Sequence, residues 1–186
     1  LPCQDPLMKH LQRIQLAAAA LAVGLSFSVT AASAAGPAAA AAANASPSVV
    51  LVHGAFADSS SWDGVVRDLQ KRHYPVIAAA NPLRGPASDA ASVAAVVDSV
   101  KGPVVLVGHS YGGSVITAAA NGKPNVKALV YVAAFAPETG ETALGLTGQF
   151  PGSTLGPTLA PPVPLADGGK DLYIDQGKFP AQFAAD

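Results

Sequence analysis

The sequence predicts an α/β fold built on a parallel sheet of at least four strands, and two observations carry this prediction. From Ser48 onward, short apolar runs rich in β-branched residues alternate with stretches whose apolar residues recur at helical spacing. These runs contain almost no polar residues, which is typical of parallel strands buried on both faces. Alternation at these short distances predicts right-handed βαβ units, with helices on both faces of the sheet.

The first two predicted strands flank a predicted helix. The strands are SVVLVHG, residues 48–54, and YPVIAAA, residues 74–80. Because Pro75 has no N–H to donate, we expect it at the beginning of its strand and not in the middle. The intervening stretch, residues 60–72, has apolar residues at helical spacing, and its serine cluster suits the capping of a helix start.

The same alternation continues to residue 135. The remaining predicted elements are a helix at 88–100, a strand at 102–108, a helix at 110–122 and a strand at 126–135. Ser88 or Asp89 is expected to be the N-cap of the first of these helices, and Gly122 to close the second.

The fourth predicted strand, VKALVYVAAF, is apolar on both faces, which suits an internal strand. Nothing in the sequence after it is an obvious partner, and an exposed apolar edge promotes aggregation. From about residue 136 the chain is rich in Gly and Pro, so we expect the start of a cap-like region there. A chain of 186 residues supports one domain, predicted at 48–186 and incomplete at its C-terminus.

The first 47 residues have the pattern of an export signal. Residues 8–34 combine a basic start, a short apolar run and the cleavage pattern Ala32-Ser33-Ala34, which predicts a signal peptide. Residues 1–7 look like an upstream extension from a misplaced start, and residues 35–47 like an Ala/Pro linker. The protein is therefore expected outside the cytoplasm, periplasmic or extracellular, without stable membrane association after cleavage. A hydrophobic or membrane-spanning helix is the alternative for this segment.

Composition excludes two classes of function. The formal net charge is −1 and no run of Lys or Arg occurs, so there is no electrostatic basis for binding nucleic acid. Cys3 is the sole cysteine, which excludes an intrachain disulfide and a thiolate metal cluster. The sequence predicts no metal site, and it leaves the oligomeric state open.

One motif carries the predicted chemistry. Gly-His-Ser-Tyr-Gly, residues 108–112, places Ser110 between the end of a predicted strand and the start of a helix. A serine nucleophile requires this sharp, strained turn, and Gly108 and Gly112 have no Cβ to collide where strand and helix approach. The pattern alone is weak support; its position between strand and helix makes Ser110 the candidate nucleophile.

A second motif, His53-Gly54-Ala55-Phe56, ends the first predicted strand. The carboxyl ends of parallel strands share one edge of the sheet, so this loop is expected close to Ser110. The N–H of Ala55, with Phe56 as second choice, is then expected to bind an oxyanion together with the N–H of Tyr111.

Several segments in the right order resemble the α/β-hydrolase superfamily, in its small bacterial esterase-like branch that is similar to plant esterases and hydroxynitrile lyases. They are VVLVHGAFADSSSWDGVV, NPLRGPASDAASVAAVV, PVVLVGHSYGGSVITAAA and ALVYVAAFAPETGET, within about Ser48 to Glu141. The resemblance implies a Ser-His-Asp triad, an acyl-enzyme, a small ester or acyl substrate and no cofactor. Related hydroxynitrile lyases carry threonine where Gly54 stands, which favours an esterase. The family resemblance also implies that His53 supports the oxyanion loop structurally.

The predicted serine has no evident base. The superfamily order is Ser, acid, His, yet the four histidines, His10, His53, His73 and His109, all precede Ser110. The carboxylates after Ser110 are Glu138, Glu141, Asp167, Asp171, Asp175 and Asp186. Of these, Glu138 directly follows the fourth strand but lies in a turn-forming sequence.

Two hypotheses therefore remain. The chain is either a fragment of a serine hydrolase whose acid and His lie elsewhere, inactive or weak by itself, or a non-catalytic secreted module that binds small molecules or partners. In both, Trp62 and Phe56 either border the pocket or pack against the first helix.

Overall fold

The computed structural model describes residues 46–183. The predicted extension at 1–7, the predicted signal peptide at 8–34 and all but the last two residues of the linker at 35–47 lie outside the described residues. So do Cys3, His10 and Asp186. Within the described part, no helix combines the length and the apolar character needed to cross a membrane.

Four parallel strands form the central sheet in the order β2-β1-β3-β4, which confirms the predicted fold class. The strands are β1 (Ser48–Val52), β2 (Val76–Ala79), β3 (Val104–His109) and β4 (Val126–Val132). In the register of the two central strands, Val52 of β1 lies opposite Gly108 of β3. The chain segments that leave these two strands therefore begin side by side at the carboxyl edge of the sheet.

Helices flank this sheet and short elements follow it. The flanking helices are α1 (Asp63–Lys71), α2 (Pro86–Ser99) and α3 (Tyr111–Ala119). After β4 come α4 (Ala143–Gln149), the antiparallel pair β5 (Val163–Pro164) and β6 (Lys170–Asp171), and α5 (Phe179–Gln182). Two 3₁₀ turns occupy Ser59–Trp62 and Gly156–Thr158. The segment after Ala119 turns through Gly122, whose φ is +69°.

The cap before α1 differs from the prediction. The serine cluster forms a 3₁₀ turn, and the side chain of Asp58 caps it by accepting the Ser60 N–H at 2.8 Å. Asp58 is the cap in place of a serine because a carboxylate is a stronger acceptor than a hydroxyl for the free N–H groups of a helix start. The two hydrogen bonds from Ser60, side chain and backbone, lower the pKa of Asp58.

The start of α2 also differs from the prediction. The helix begins at Pro86 with Gly85 as N-cap, so Ser88 and Asp89 lie inside the helix and neither is the N-cap. Pro86 explains the earlier start, because its ring presets a helical φ and the first helical position needs no N–H donor. Gly85 has φ +143°, which glycine adopts readily and other residues do not.

Both faces of the sheet are covered. On one face Val50, Val52 and Leu106 pack against α2 and α3, while on the other Val49 and Leu51 pack around Trp62. Each such buried aliphatic side chain contributes about 1.5–3 kcal/mol, so the central strands hold the fold together. This two-sided burial is the reason that β1 reads as a continuous apolar run.

Strand β4 is the exposed edge of the sheet. It ends at Val132, short of the predicted residue 135, and Ala133 turns the chain with φ +42°. Val130, Tyr131 and Val132 remain 38–42% exposed. Among the described residues, no strand pairs with the outer side of β4.

Candidate active site

Ser110 occupies a strained turn between β3 and α3. Its φ of +53° and ψ of −121° lie in a region that side-chain-bearing residues rarely adopt, at a cost of about 1–3 kcal/mol. Hydrogen bonds hold the turn: the Ser110 N–H donates to Val132 O at 3.3 Å, and the Phe135 N–H donates to Ser110 O at 3.1 Å. The conformation is thus imposed by the surrounding backbone.

The glycines of the Gly-His-Ser-Tyr-Gly motif allow close backbone contact. A Cβ at position 108 would lie 2.5 Å from Gly112 O, and one at position 112 would lie 2.8 Å from His53 O. Both distances are shorter than any ordinary carbon–oxygen contact. Gly108 therefore lets β3 approach α3, and Gly112 lets α3 approach the end of β1.

The loop after β1 contacts Ser110 directly. A Cβ at position 54 would lie 2.9 Å from the Cβ of Ser110 and 3.0 Å from His109 O. The next residues, Ala55 and Phe56, continue the loop with φ +62° at Phe56. The structure thus brings together the two motifs, which are 57 positions apart in the chain.

Three backbone amides at this edge have no acceptor within the part of the chain that the structure describes. Within residues 46–183, the N–H groups of Ala55, Phe56 and Tyr111 donate no hydrogen bond. Tyr111 is the first residue of α3, where N–H groups lack intrahelical partners and the helix dipole favours negative charge. The arrangement can accept an anionic oxygen.

A cleft of about 720 Å³ opens beside these amides. Its lining includes the three amide-bearing residues, the loop at 82–86 and the segment at 170–174. Ser110 does not line this cleft; it is adjacent to it through Tyr111. At the rim, the guanidinium of Arg84 pairs with Asp171 at 3.1 Å and joins the loop after β2 to β6.

His53 is buried and both of its ring nitrogens are occupied. Nε2 accepts the Asn81 N–H at 3.1 Å, so the ring proton lies on Nδ1, which donates to Gly54 O at 2.9 Å. The Asn81 side chain also donates to His53 O at 3.2 Å. A histidine in this state has no free lone pair with which to act as a base, and it fixes the loop that carries Gly54.

The other described histidines are not hydrogen-bonded to Ser110. His109 packs edge-on against Trp62, with ring centroids 6.4 Å apart. His73 is exposed just after α1, at φ +63°. Trp62 is buried against β1, whereas Phe56 lines the cleft, so only the second of these two aromatic residues borders the pocket.

The carboxylates of Glu141, Asp167, Asp171 and Asp175, which follow Ser110, have other partners. Glu141 accepts the Glu138 N–H at 2.8 Å in an exposed turn, and Asp171 pairs with Arg84. Asp167 and Asp175 each accept a backbone N–H two residues ahead. Within residues 46–183, no carboxylate is hydrogen-bonded to a histidine, and no cluster of His, Cys, Asp and Glu is arranged to hold a metal ion.

Asp89 has a role that was not predicted from the sequence. Its carboxylate is fully buried and accepts the Tyr111 hydroxyl at 2.8 Å and the Arg84 N–H at 2.9 Å. Burial, followed by the hydrogen bond to Asp89 and its charge, raises the pKa of Tyr111 well above its usual value. The sequence did contain one signal that Asp89 is buried. It stands four and eight residues before Val93 and Val97 and so shares their buried helix face.

Comparisons with known proteins agree with this architecture. Residues 49–186 match the model of the alpha/beta hydrolase family. A carbendazim hydrolyzing esterase of Nocardioides sp. (strain SG-4G) is 52% identical over 44 residues, which are 23% of this chain and 18% of that protein.

Two solved structures extend the similarity. A pyrethroid hydrolase from Sphingobium faniae JZ-2 superposes with a TM-score of 0.55 at 26% identity. The match covers 72% of this chain and 57% of the pyrethroid hydrolase chain. An extracellular alpha/beta-hydrolase from a Paenibacillus species, described as sharing structural and functional homology with tobacco salicylic acid binding protein 2, has a TM-score of 0.51 at 28% identity. That match covers 60% of this chain and 49% of the other.

This chain thus spans about half the length of these solved structures. The family match covers most of the chain, and the parallel sheet, the turn at Ser110 and the loop after β1 all lie inside it. The chain therefore belongs to the alpha/beta hydrolase family.

Proposed function

We propose that this domain provides the nucleophile and the oxyanion donors of a serine esterase. Ser110 is the nucleophile, and the N–H groups of Tyr111 and Ala55 bind the oxyanion, with Phe56 as the alternative second donor. The observation that carries the proposal is the backbone of Ser110, at φ +53° and ψ −121° between a parallel strand and a helix. A strained serine at this position is the arrangement that exposes the hydroxyl for attack.

The proposed reaction proceeds by acyl transfer. Ser110 Oγ forms a bond to the carbonyl carbon of the ester, and the carbonyl oxygen takes the negative charge at the two free amides. Collapse of this intermediate releases the alcohol and leaves an acyl-serine. Water then attacks the acyl group, releases the carboxylic acid and restores the serine hydroxyl.

A general base is the element that the described histidines do not supply. His53 is fully hydrogen-bonded, His109 packs on Trp62 and His73 is exposed beyond α1. We infer that a histidine outside residues 46–183, with its acid partner, takes the serine proton in the working enzyme. Without that base, the oxyanion donors and binding still provide about 10³- to 10⁴-fold acceleration over water.

The cleft supports a small ester or acyl substrate with an apolar portion. Phe56, Leu83 and Tyr173 line it beside the amides of the proposed oxyanion hole. The carbendazim hydrolyzing esterase is by its name an esterase, and the pyrethroid hydrolase is by its name a hydrolase of a small molecule, which supports this substrate class. We propose the same substrate class, a small ester or acyl compound, for the whole protein.

Acylation of the purified 186-residue chain by p-nitrophenyl acetate tests the proposal. Intact-protein mass spectrometry counts the acetyl groups, peptide mapping locates them, and p-nitrophenolate release measures turnover. We expect one acetyl group to accumulate slowly on Ser110 with little or no multiple turnover, because none of the histidines within residues 46–183 is placed to take the serine proton. Ser110→Ala should remove this adduct, whereas Ser114→Ala, one helical turn further along α3, should keep it.

Two results would change the proposal. Identical acetylation of wild type and Ser110→Ala would overturn Ser110 as the nucleophile and favour a non-catalytic binding module. Rapid multiple turnover that Ser110→Ala abolishes and His10→Ala leaves unchanged would confirm the nucleophile, yet refute the inference that the base lies outside residues 46–183.

A further inference from the structure

A buried carboxylate links the strained turn at Ser110 to the wall of the cleft. Asp89 Oδ2 accepts the hydroxyl of Tyr111, and Asp89 Oδ1 accepts the N–H of Arg84 at 2.9 Å and a longer hydrogen bond from Ser88 Oγ at 3.4 Å. Tyr111 directly follows Ser110, and Arg84 belongs to the loop at 82–86 that lines the cleft. One side chain therefore connects two segments that border the proposed site.

The contacts of Asp89 are not those of a helix cap. A capping carboxylate accepts N–H groups of the first turn of its own helix. Asp89 is already the fourth residue of α2, and it reaches one residue outside that helix, Arg84, and the first residue of a different helix, α3. Its strongest side-chain contact, at 2.8 Å, is the charge-assisted bond to the Tyr111 hydroxyl.

The turn at Ser110 needs restraint from this direction. Apart from the Gly113 N–H of α3 itself, its backbone restraints, Val132 O and the Phe135 N–H, come from β4 and the residues that follow it. On the α2 side, the hydroxyl of Tyr111 donates a hydrogen bond to Asp89. Helices α2 and α3 also share the buried cluster around Val93, Val97 and Val115. A helix held at its first residue keeps the Tyr111 N–H in a fixed direction.

We propose that Asp89 is a positioning residue of the esterase site: through the Tyr111 hydroxyl it fixes the first turn of α3, and with it the oxyanion-binding N–H of Tyr111. The inference rests on the proposed function for its catalytic consequence. Its structural part, the restraint of the turn, stands independently. Asp89 itself does not contact the substrate; it acts through Tyr111.

Amide hydrogen exchange tests the restraint without any need for activity. The reporter is the Gly113 N–H, which donates to Ser110 O at 3.0 Å and closes the turn. Asp89→Asn and Tyr111→Phe should each speed its exchange by about tenfold, because a charge-assisted bond is lost. The matched control is Tyr131→Phe, which removes another tyrosine hydroxyl bonded to α3, at Thr117, at the same 2.8 Å. It should change exchange of Gly113 by less than about twofold.

Equal exchange in wild type and both variants would overturn the proposal, and so would an equal increase in all three variants, which would indicate general loosening of α3. Should Asp89→Asn fail to fold, Tyr111→Phe against Tyr131→Phe decides the comparison, because Tyr111→Phe keeps the ring. The double variant Asp89→Asn/Tyr111→Phe should exchange no faster than the more affected single variant.

Single-turnover acylation of Ser110 by p-nitrophenyl acetate tests the catalytic part. The maximal rate should fall about tenfold in Tyr111→Phe, while the half-saturating ester concentration stays within about twofold of wild type. A purely structural role would leave the maximal rate of the folded protein unchanged, which would overturn the positioning role. If wild-type Ser110 accepts no acetyl group, the proposed function fails, and the exchange comparison still decides whether Asp89 restrains the turn.

Discussion

Gly54 lies directly against Ser110, so that a Cβ at position 54 would stand 2.9 Å from the serine Cβ. Real side-chain carbons do not approach so closely, and the third nearest atom, His109 Nδ1, is only 3.2 Å away. The first loop and the serine turn are therefore fitted to each other at the backbone. A threonine at this position, as the resemblance describes for hydroxynitrile lyases, does not fit this arrangement.

Gly54→Ala should displace the loop that carries Ala55. We expect a loss of about 1–3 kcal/mol in the free energy of unfolding and a fall of about 100-fold in Ser110 acylation, because the oxyanion donor moves with the loop. Urea unfolding and the mass-spectrometric acylation assay measure the two effects. Gly64→Ala is the control, since a Cβ there meets no atom within 4 Å and alanine favours the helix α1. Full acylation in Gly54→Ala would contradict the prediction.

His53→Ala should destabilise the fold by about 2–3 kcal/mol, because it leaves the buried Asn81 N–H and Gly54 O without partners. Urea unfolding monitored by tryptophan fluorescence measures this change, since Trp62 is buried beside β1. The exposed His73 offers a control: His73→Asn suits the positive φ there and should alter stability by less than about 0.5 kcal/mol. A near-neutral His53→Ala would show that the two hydrogen bonds contribute nothing.

Alkaline pH should weaken the contribution of the Tyr111 hydroxyl. Burial and Asp89 raise the pKa of Tyr111 in the folded protein. Its stabilisation is therefore fully present below the unfolded value of about 10, and it is lost as the pH rises toward the folded value.

Urea unfolding of wild type and Tyr111→Phe at several pH values isolates this effect. The difference between their free energies of unfolding should be constant up to about pH 9 and fall by about 1.4 kcal/mol for each pH unit above 10. A difference that stays flat to pH 11 would be inconsistent with the raised pKa.

The order of strands and helices was predictable because each strand is a short apolar run and the helices between the strands have apolar residues at helical spacing. The turn at Ser110 was predictable for a different reason, because glycines at 108 and 112 are needed at any such close approach of strand and helix. In both cases the residues that carry the pattern lie close together in the sequence.

The remaining features depend on contacts between distant residues. The helix starts were mispredicted because Asp58 and Pro86 compete with nearby serines and Asp89 for the same role, and propensity alone does not rank them. The bond between Asp89 and Tyr111 joins residues 22 positions apart and depends on how α2 packs on α3. The cleft wall at 170–174 comes from a Gly/Pro-rich region that has no periodic pattern.

The edge strand β4 should promote association of this chain, and a single charge should reduce it. Val130 is 42% exposed on an edge whose backbone N–H and C=O groups have no partner strand among the described residues. Lysine at such an edge opposes pairing with another chain, so Val130→Lys should slow the rise of light scattering at elevated protein concentration several-fold. Val65→Lys is the matched control, because Val65 is equally exposed at 42% but lies on helix α1. Equal slowing by both variants would mean that added charge alone explains the effect, whereas slowing by Val130→Lys alone would assign it to the β4 edge.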